Sequence, residues 1–261
     1  MSEPVAFIDS GVGGLPYLAS ARRLLPTERF VYAADREHFP YGRMSAQAVT
    51  EATTSLAARL IQRESPKLVV VACNTMSVVA LAELRRRFAV PFVGVVPAVK
   101  PAAELSQSKR IGVLATQRTV EGQYLKDLIE KFAGGCTVSS LPAADLVDFV
   151  ERQMCSASAE ERRARVRTEA APFREARVDT VVLACTHFMH LEEEFRSELG
   201  EAVRIVDSRE GVTRQIVRLL GTHVAEQRLG ADTLYLTGAL PVENRYLYFA
   251  KQFGLELGGL L

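Results

Sequence analysis

Apolar runs too short for a helix, and apolar at every position rather than at every second one, recur along this chain. They are Val5-Ala6-Phe7-Ile8, Phe30-Val31-Tyr32-Ala33, Leu68-Val69-Val70-Val71 and Thr180-Val181-Val182-Leu183. A strand that is apolar on both faces must be covered on both, which is the situation of a parallel sheet flanked by helices. Segments with helical spacing separate the runs. A helix is expected from Leu15 to Leu25. Val49, Ala52, Leu56, Leu60 and Ile61 recur on one helix face behind a Ser45 cap, and Leu125, Leu128, Ile129 and Phe132 do so in a helix that follows Thr119 and stops at Gly134-Gly135. Further strands are expected at 92–96, 111–115, 203–206 and 233–237, and the two cysteine-bearing runs extend to 68–72 and 180–184. The chain reads as an α/β protein.

A loose internal echo divides it. Ala6-Phe7-Ile8-Asp9-Ser10 opens one series of strands, Ile111-Gly112-Val113-Leu114-Ala115-Thr116 opens another, and each series later reaches a strand ending in Ala-Cys. The expected organisation is two similar, pseudo-symmetric domains with parallel-type sheets: one discontinuous, residues 1–97 plus 207–261, and one inserted, residues 98–206.

Composition excludes several classes of function. With 32 basic and 31 acidic residues there is no global field to draw in nucleic acid or an anionic membrane. The densest basic stretch, Arg162-Arg163-Ala164-Arg165-Val166-Arg167, follows Glu160-Glu161 and reads as a solvated helix face. No apolar run approaches the ~20 residues of a membrane span, and Met1-Ser2-Glu3-Pro4 has neither segment of a signal peptide. Four cysteines without a C-x-x-C pair are too sparse for a disulfide scaffold, so a cytoplasmic setting is expected, with Cys136 and Cys155 as bystanders.

In parallel α/β sheets ligands bind beyond the carboxyl ends of the strands. Three motifs sit there. Asp9-Ser10-Gly11-Val12-Gly13-Gly14 suits either a tight strand-to-helix turn or an anion cradle of backbone N–H groups. It lacks the G-x-G-x-x-G spacing of a dinucleotide site. Asp9 itself fits a helix cap or an acid/base partner. Ala72-Cys73-Asn74-Thr75 and Ala184-Cys185-Thr186-His187 each place a thiol where a strand feeds a helix. A buried free cysteine is usually a small hydrophobe, but the positive end of a helix lowers a thiol's pKa. The neighbouring Asn, Thr and His side chains suit a carboxylate. His187, two residues from Cys185, can point the same way along extended chain. A metal site is not expected, since Cys185 and His187 have no second clustered ligand pair. Tyr41 and Gly42, in the turn Phe39-Pro40-Tyr41-Gly42, fit a plain turn or a ligand contact.

Taken together, Phe7-Ile8-Asp9-Ser10-Gly11-Val12-Gly13-Gly14-Leu15, Pro40-Tyr41-Gly42, Ala72-Cys73-Asn74-Thr75, Val96-Pro97-Ala98-Val99-Lys100-Pro101-Ala102, Leu183-Ala184-Cys185-Thr186-His187 and Val206-Asp207-Ser208 resemble glutamate racemase in order and spacing. The resemblance implies a cofactor-independent racemase that makes D-glutamate for the bacterial cell wall, with two α/β domains, the active site in the cleft between them, and a homodimer. It implies Cys73 and Cys185 as catalytic thiols, with Asp9, His187 and Glu151 (within Phe149-Val150-Glu151-Arg152) supporting them. Asp9, Ser10, Tyr41, Gly42, Asn74, Thr75, Thr186 and His187 carry over as substrate contacts. The sequence departs from the family at Arg36, Met76 and Phe188-Met189, where the family usually has Thr, a small residue and Tyr-Pro, which bears on pocket shape. The N-terminal extension that in some members helps to bind a cell-wall precursor activator is not expected.

The chemistry is consistent with two like bases. Racemisation removes the Cα proton from one face and returns a proton to the other, so one thiolate accepts while the opposite thiol donates, and the roles swap in reverse. The expectation is that Asp9 tunes Cys73 while His187 and Glu151 tune Cys185. Three rivals remain at this point: a racemase of a related amino acid such as aspartate, a Cys–His hydrolase, and a binding protein that has kept the site and lost catalysis.

Overall fold

The computed structural model describes residues 3–261. Met1 and Ser2, part of the N-terminal signal reading, lie outside the described residues. The chain divides into two compact units, one of residues up to Val95 together with Arg209–Leu261, the other Val96–Ser208.

The first unit opens with β1 (Val5–Asp9), α1 (Leu15–Leu24), β2 (Phe30–Ala34), α2 (Ala46–Glu64), β3 (Leu68–Val71), α3 (Asn74–Arg87) and β4 (Phe92–Gly94). The second unit holds α4 (Val99–Leu105), β5 (Arg110–Ala115), α5 (Gln117–Glu121), α6 (Gln123–Ala133), β6 (Thr137–Pro142), α7 (Ala144–Arg152), α8 (Ala159–Glu175), β7 (Thr180–Leu183), α9 (Glu192–Leu199) and β8 (Arg204–Val206). The first unit then resumes with α10 (Arg209–Leu220), β9 (Thr233–Leu236), α11 (Asn244–Phe253) and β10 (Glu256–Leu260).

Both sheets are parallel. The first has the order β10-β9-β2-β1-β3-β4 and the second β6-β5-β7-β8. Every residue of β1, β2, β3 and β7 is buried, as unbroken apolar runs require. The two sheets share one core arrangement: in each, the strand that opens the series lies between the second and the third, and the fourth follows the third. The internal echo in the sequence is thus an echo of strand order.

Helix α2 shows how local signals are cashed into packing. Ser45 Oγ accepts from the Ala48 amide and caps its start, while Ser65 takes a left-handed conformation at its end. Val49, Ala52, Leu56 and Leu60 bury one face against Val69, Val71 and Met76 in a common core, with Ile61 packed at its margin. Truncating Leu56 to Ala there costs about 2–5 kcal/mol. The basic stretch of α8 is a solvated, paired face: Ser158 and Glu161 form a capping box, Arg162 Nε lies 2.9 Å from Glu194 and Arg167 Nε 3.3 Å from Glu198, both on α9.

The structure adds two strands not expected from the sequence, β6 and β10. It also breaks the helix expected after Thr119 at Gly122, into α5 and α6. None of the helices is long and apolar enough to cross a membrane among the described residues.

Candidate active site

The first unit places Asp9 at the end of β1 and Cys73 just past β3, the strand beside it. Between their functional groups stands Ser10. Its hydroxyl donates to Asp9 Oδ1 at 3.1 Å and lies 3.8 Å from Cys73 Sγ. A hydroxyl that donates to a carboxylate keeps its lone pairs for a thiol S–H, so the geometry runs thiol to hydroxyl to carboxylate. Cys73 is the N-cap of the fourteen-residue α3, where the amide end of the helix dipole creates a positive setting. Asn74 and Thr75, also buried, form that first turn.

The glycine turn after Asp9 is closed on itself. The Gly11 amide donates to Asp9 Oδ1, the Gly14 amide donates to the Tyr32 hydroxyl at 3.0 Å, and that hydroxyl donates to the Gly11 carbonyl at 2.9 Å. Two of the amides considered for an anion cradle are therefore spent within the turn. Asp9 is not the cap of α1 either; that position is held by Gly14, without a side-chain cap. Gly14 is required by close approach, since a Cβ there would lie 2.5 Å from Ala72 Cβ and 2.8 Å from Asp9 Oδ2.

Tyr41 is buried, and its hydroxyl donates to Asp35 Oδ2. Burial, then the charge and hydrogen bond of Asp35, and then the charge of Cys73, push the phenol far above its ordinary pKa, so it stays protonated. Its side chain thus anchors the Tyr41–Arg43 turn. Asp35, assigned no role from its motif, is the hub here. It is fully buried at the end of β2 and also accepts from Thr237 Oγ1 at 2.6 Å, while His38 Nδ1 lies 2.9 Å from Oδ2. Asp35, Glu37 and His38 are the one grouping with metal-ligand proximity among the described residues. Thr237, Tyr41 and His38 already engage both Asp35 oxygens.

The second unit places Cys185 just past β7, the third strand of its own series, as Cys73 is past β3. The following segment differs from the expectation of an α-helix: Thr186–Leu191 is a 3-10 helix, and α9 starts only at Glu192. Its side chains supply what a longer helix would otherwise supply. His187 Nδ1 faces Cys185 Sγ at 4.0 Å, and His187 Nε2 donates to Glu151 Oε2 at 3.0 Å. Glu151 reaches this point from α7, whose apolar residues Leu146, Val147, Phe149 and Val150 are buried around it. Burial drives His187 toward neutrality, but hydrogen bonds to Cys185 and Glu151 and their charges outweigh it and hold its pKa well above the ordinary value. Glu151, placed from spacing alone, is brought onto the Cys185–His187 pair.

The positions that depart from the family face inward. Met76 and Phe188 are fully buried and Met189 nearly so, and Met76 belongs to the core of α2 and α3. His190 lies in the last turn of the 3-10 segment rather than in the next α-helix.

The residues matched by the Asp/Glu/hydantoin racemase family run from 17 to 216. A glutamate racemase of Treponema pallidum is 41% identical over 258 residues, covering 98% of this chain and 96% of that protein. The crystal structure of Escherichia coli glutamate racemase, in complex with L-glutamate and the activator UDP-MurNAc-ala, superposes with a TM-score of 0.91 at 35% identity, covering 99% of this chain and 98% of that one. The glutamate racemase isoform RacE1 of Bacillus anthracis superposes at 0.83 with 26% identity, covering 98% and 97%. The chain belongs to the Asp/Glu/hydantoin racemase family.

Proposed function

We propose that the protein is a glutamate racemase that interconverts L- and D-glutamate with two thiols and no cofactor. One observation carries the reading. Two units of the same core strand order each carry a cysteine two residues past the third strand, and each cysteine has its own hydrogen-bonded line to a buried carboxylate: Cys73–Ser10–Asp9 and Cys185–His187–Glu151. A reaction whose forward and reverse directions are mirror images needs matched acid/base groups, and the matching is here in strand position rather than in side-chain identity.

In this reading one thiolate takes the Cα proton while the other thiol delivers one to the opposite face. The proton arriving at Cys73 is supported through Ser10 by Asp9. Cys185 is supported by the His187 imidazolium, whose charge Glu151 balances. Cα–H is a weak acid, so preorganised donors must stabilise the charge that develops on the carboxylate side. Ser10, Asn74, Thr75, Thr186, His187 and the Tyr41-Gly42 backbone are assigned to holding glutamate. The same reading treats residues 1–97 plus 207–261 and residues 98–206 as the two catalytic domains, and places the enzyme in the cytoplasm, as a homodimer that supplies D-glutamate for peptidoglycan.

The test is incubation with L-glutamate in D₂O, following optical rotation and Cα deuteration together, with L-aspartate in parallel. Inversion with deuterium uptake on glutamate is the expected result. Release of a hydrolysis product without Cα exchange, or turnover confined to aspartate, refutes it. Cys73→Ser and Cys185→Ser each should lower the rate by about 10²–10⁴-fold, the usual contribution of one positioned acid or base; near-full activity in either would end the two-thiol model.

A further inference from the structure

Arg36 is the side chain that the function so far leaves unused, and it is heavily engaged. Its side chain is only 7% exposed. Nε donates to the Thr237 carbonyl at 2.6 Å, Nη1 to the Pro241 carbonyl at 3.3 Å and to Glu243 Oε2, and Nη2 to the Ala239 carbonyl. The guanidinium also stands 5.9 Å from the centre of the Tyr246 ring. Four acceptors in one seven-residue loop, 237–243, thus converge on a single cation. Arg245 Nη2 grips the other oxygen of Glu243 at 2.8 Å, which fixes the far end of the loop at the start of α11.

That loop is joined to the turn bearing Tyr41-Gly42. The same Thr237 whose carbonyl is held by Arg36 donates its hydroxyl to Asp35 and accepts the Glu37 amide on Oγ1 at 3.2 Å. Asp35 in turn accepts from the Tyr41 hydroxyl. Arg36 lies in the chain between Asp35 and Glu37, so its side chain and its two neighbours grip Thr237 from three directions. A planar fork of five donors can satisfy carbonyls in a curved loop at once, which a lysine ammonium on a flexible stem cannot.

We infer that Arg36 is a positioning residue: by clamping loop 237–243 it fixes Thr237 against Asp35, and through Asp35 and the Tyr41 hydroxyl it sets the Pro40-Tyr41-Gly42 turn where glutamate is held. The inference rests on the proposed racemase reading. It assigns to a C-terminal loop, distant in sequence from every motif of the site, control over substrate affinity.

The experiment uses the full-length protein. Arg36→Met keeps the apolar stem and removes the donors; Thr237→Val keeps the shape and removes the hydroxyl. Arg228→Ala is the control, since Arg228 pairs with Asp232 at 2.8 Å, ahead of β9 and outside residues 35–44 and 237–243. KM and kcat are measured in both directions, with hydrogen exchange of residues 35–44. Arg36→Met and Thr237→Val should each raise KM for both enantiomers about tenfold, less than the ~10²-fold that a 1 Å misplacement can cost, with kcat changed far less. Because the two enantiomers are equal in free energy, kcat/KM must fall equally in both directions. The double variant should be no worse than the poorer single variant, as expected for two members of one network, and exchange should rise at the Arg43 and Met44 amides, which donate to the Pro40 and Tyr41 carbonyls. Arg228→Ala should lower Tm and leave KM alone. Unchanged KM in Arg36→Met, additive effects in the double variant, or the same KM rise in the Arg228→Ala control overturns the inference. If the wild type does not racemise glutamate the functional reading fails instead, and the exchange data alone decide whether the clamp sets the turn.

Discussion

Replacing Glu151 by glutamine isolates the buried line behind Cys185. The His187 and Glu151 side chains are 3% and 1% exposed and joined at 3.0 Å. Glutamine preserves size and an acceptor oxygen but removes the charge. A hydrogen bond to a charged group contributes about 1.5–3 kcal/mol and a neutral one about 0.5–1.5, so the direct loss is about 1.5 kcal/mol. Leaving a buried imidazolium without its counter-charge would cost about 3–5 kcal/mol. Giving up the proton costs only about 1.4 kcal/mol for each unit by which pH lies below the pKa. Deprotonation is the cheaper route, and His187 should titrate lower in the variant.

The consequence for stability has a definite sign. The folded pKa of His187 is raised well above its ordinary value, so its contribution is complete below about pH 6.5, the unfolded value, and fades as pH rises through the folded one. Urea denaturation over a pH series, with NMR titration of the His187 ring, reads both quantities. Glu151→Gln should be less stable by about 1.5 kcal/mol on the acid side, with the gap narrowing as pH rises. A gap that is constant with pH, or a His187 titration that does not move, would refute the assignment of Glu151 as the balancing charge.

Two further substitutions probe the first unit. Ser10→Ala removes the hydroxyl between Asp9 and Cys73; at about 1 kcal/mol for the lost bridge it should slow turnover roughly fivefold and enlarge the isotope effect with Cα-deuterated glutamate in one direction only. Gly14→Ala forces a Cβ against Ala72 and Asp9 Oδ2 and should destabilise the protein by about 1–3 kcal/mol; thermal unfolding would show it, and an unchanged Tm would mean that the turn gives way.

What was legible in the sequence was what is written locally. Unbroken apolar runs such as Leu68–Val71 announce a strand covered on both faces, and β1, β2, β3 and β7 all lie where such runs fall. Strands β6 and β10 escaped because each sits at a sheet edge: β6 is at best half-buried, and β10 carries Gly258-Gly259, so neither needs an apolar run. The cysteines stood out through repetition of Ala-Cys after a strand. Asp35 carries no such signal, since it is recognised only by what it binds, and its partner Thr237 is 202 residues away. Arg36 is a departure from the family, but the loop 237–243 that closes around it lies about 200 residues further along the chain. The 3-10 segment after Cys185 was hidden for a different reason. Thr186-His187-Phe188-Met189-His190-Leu191 carries no local breaker, and its shape follows from burying Phe188 and Leu191 while His187 meets Glu151.

The place of β9 has a consequence for how the chain is made. Strand β2 is flanked by β1 on one side and by β9 on the other, with Val31 paired to Thr233. On the ribosome β2 emerges about 200 residues before β9, which at ~5–20 residues per second is a wait of roughly 10–40 s. For that interval a fully apolar strand has an open edge able to pair with another chain. The contiguous segment Val96–Ser208, by contrast, has all four of its strands within itself and can close its sheet as soon as it clears the exit tunnel. The unit that begins synthesis first is therefore the one that finishes folding last, and the nascent chain's exposure to chaperones and to self-association is set by the length of the insertion rather than by the stability of either sheet.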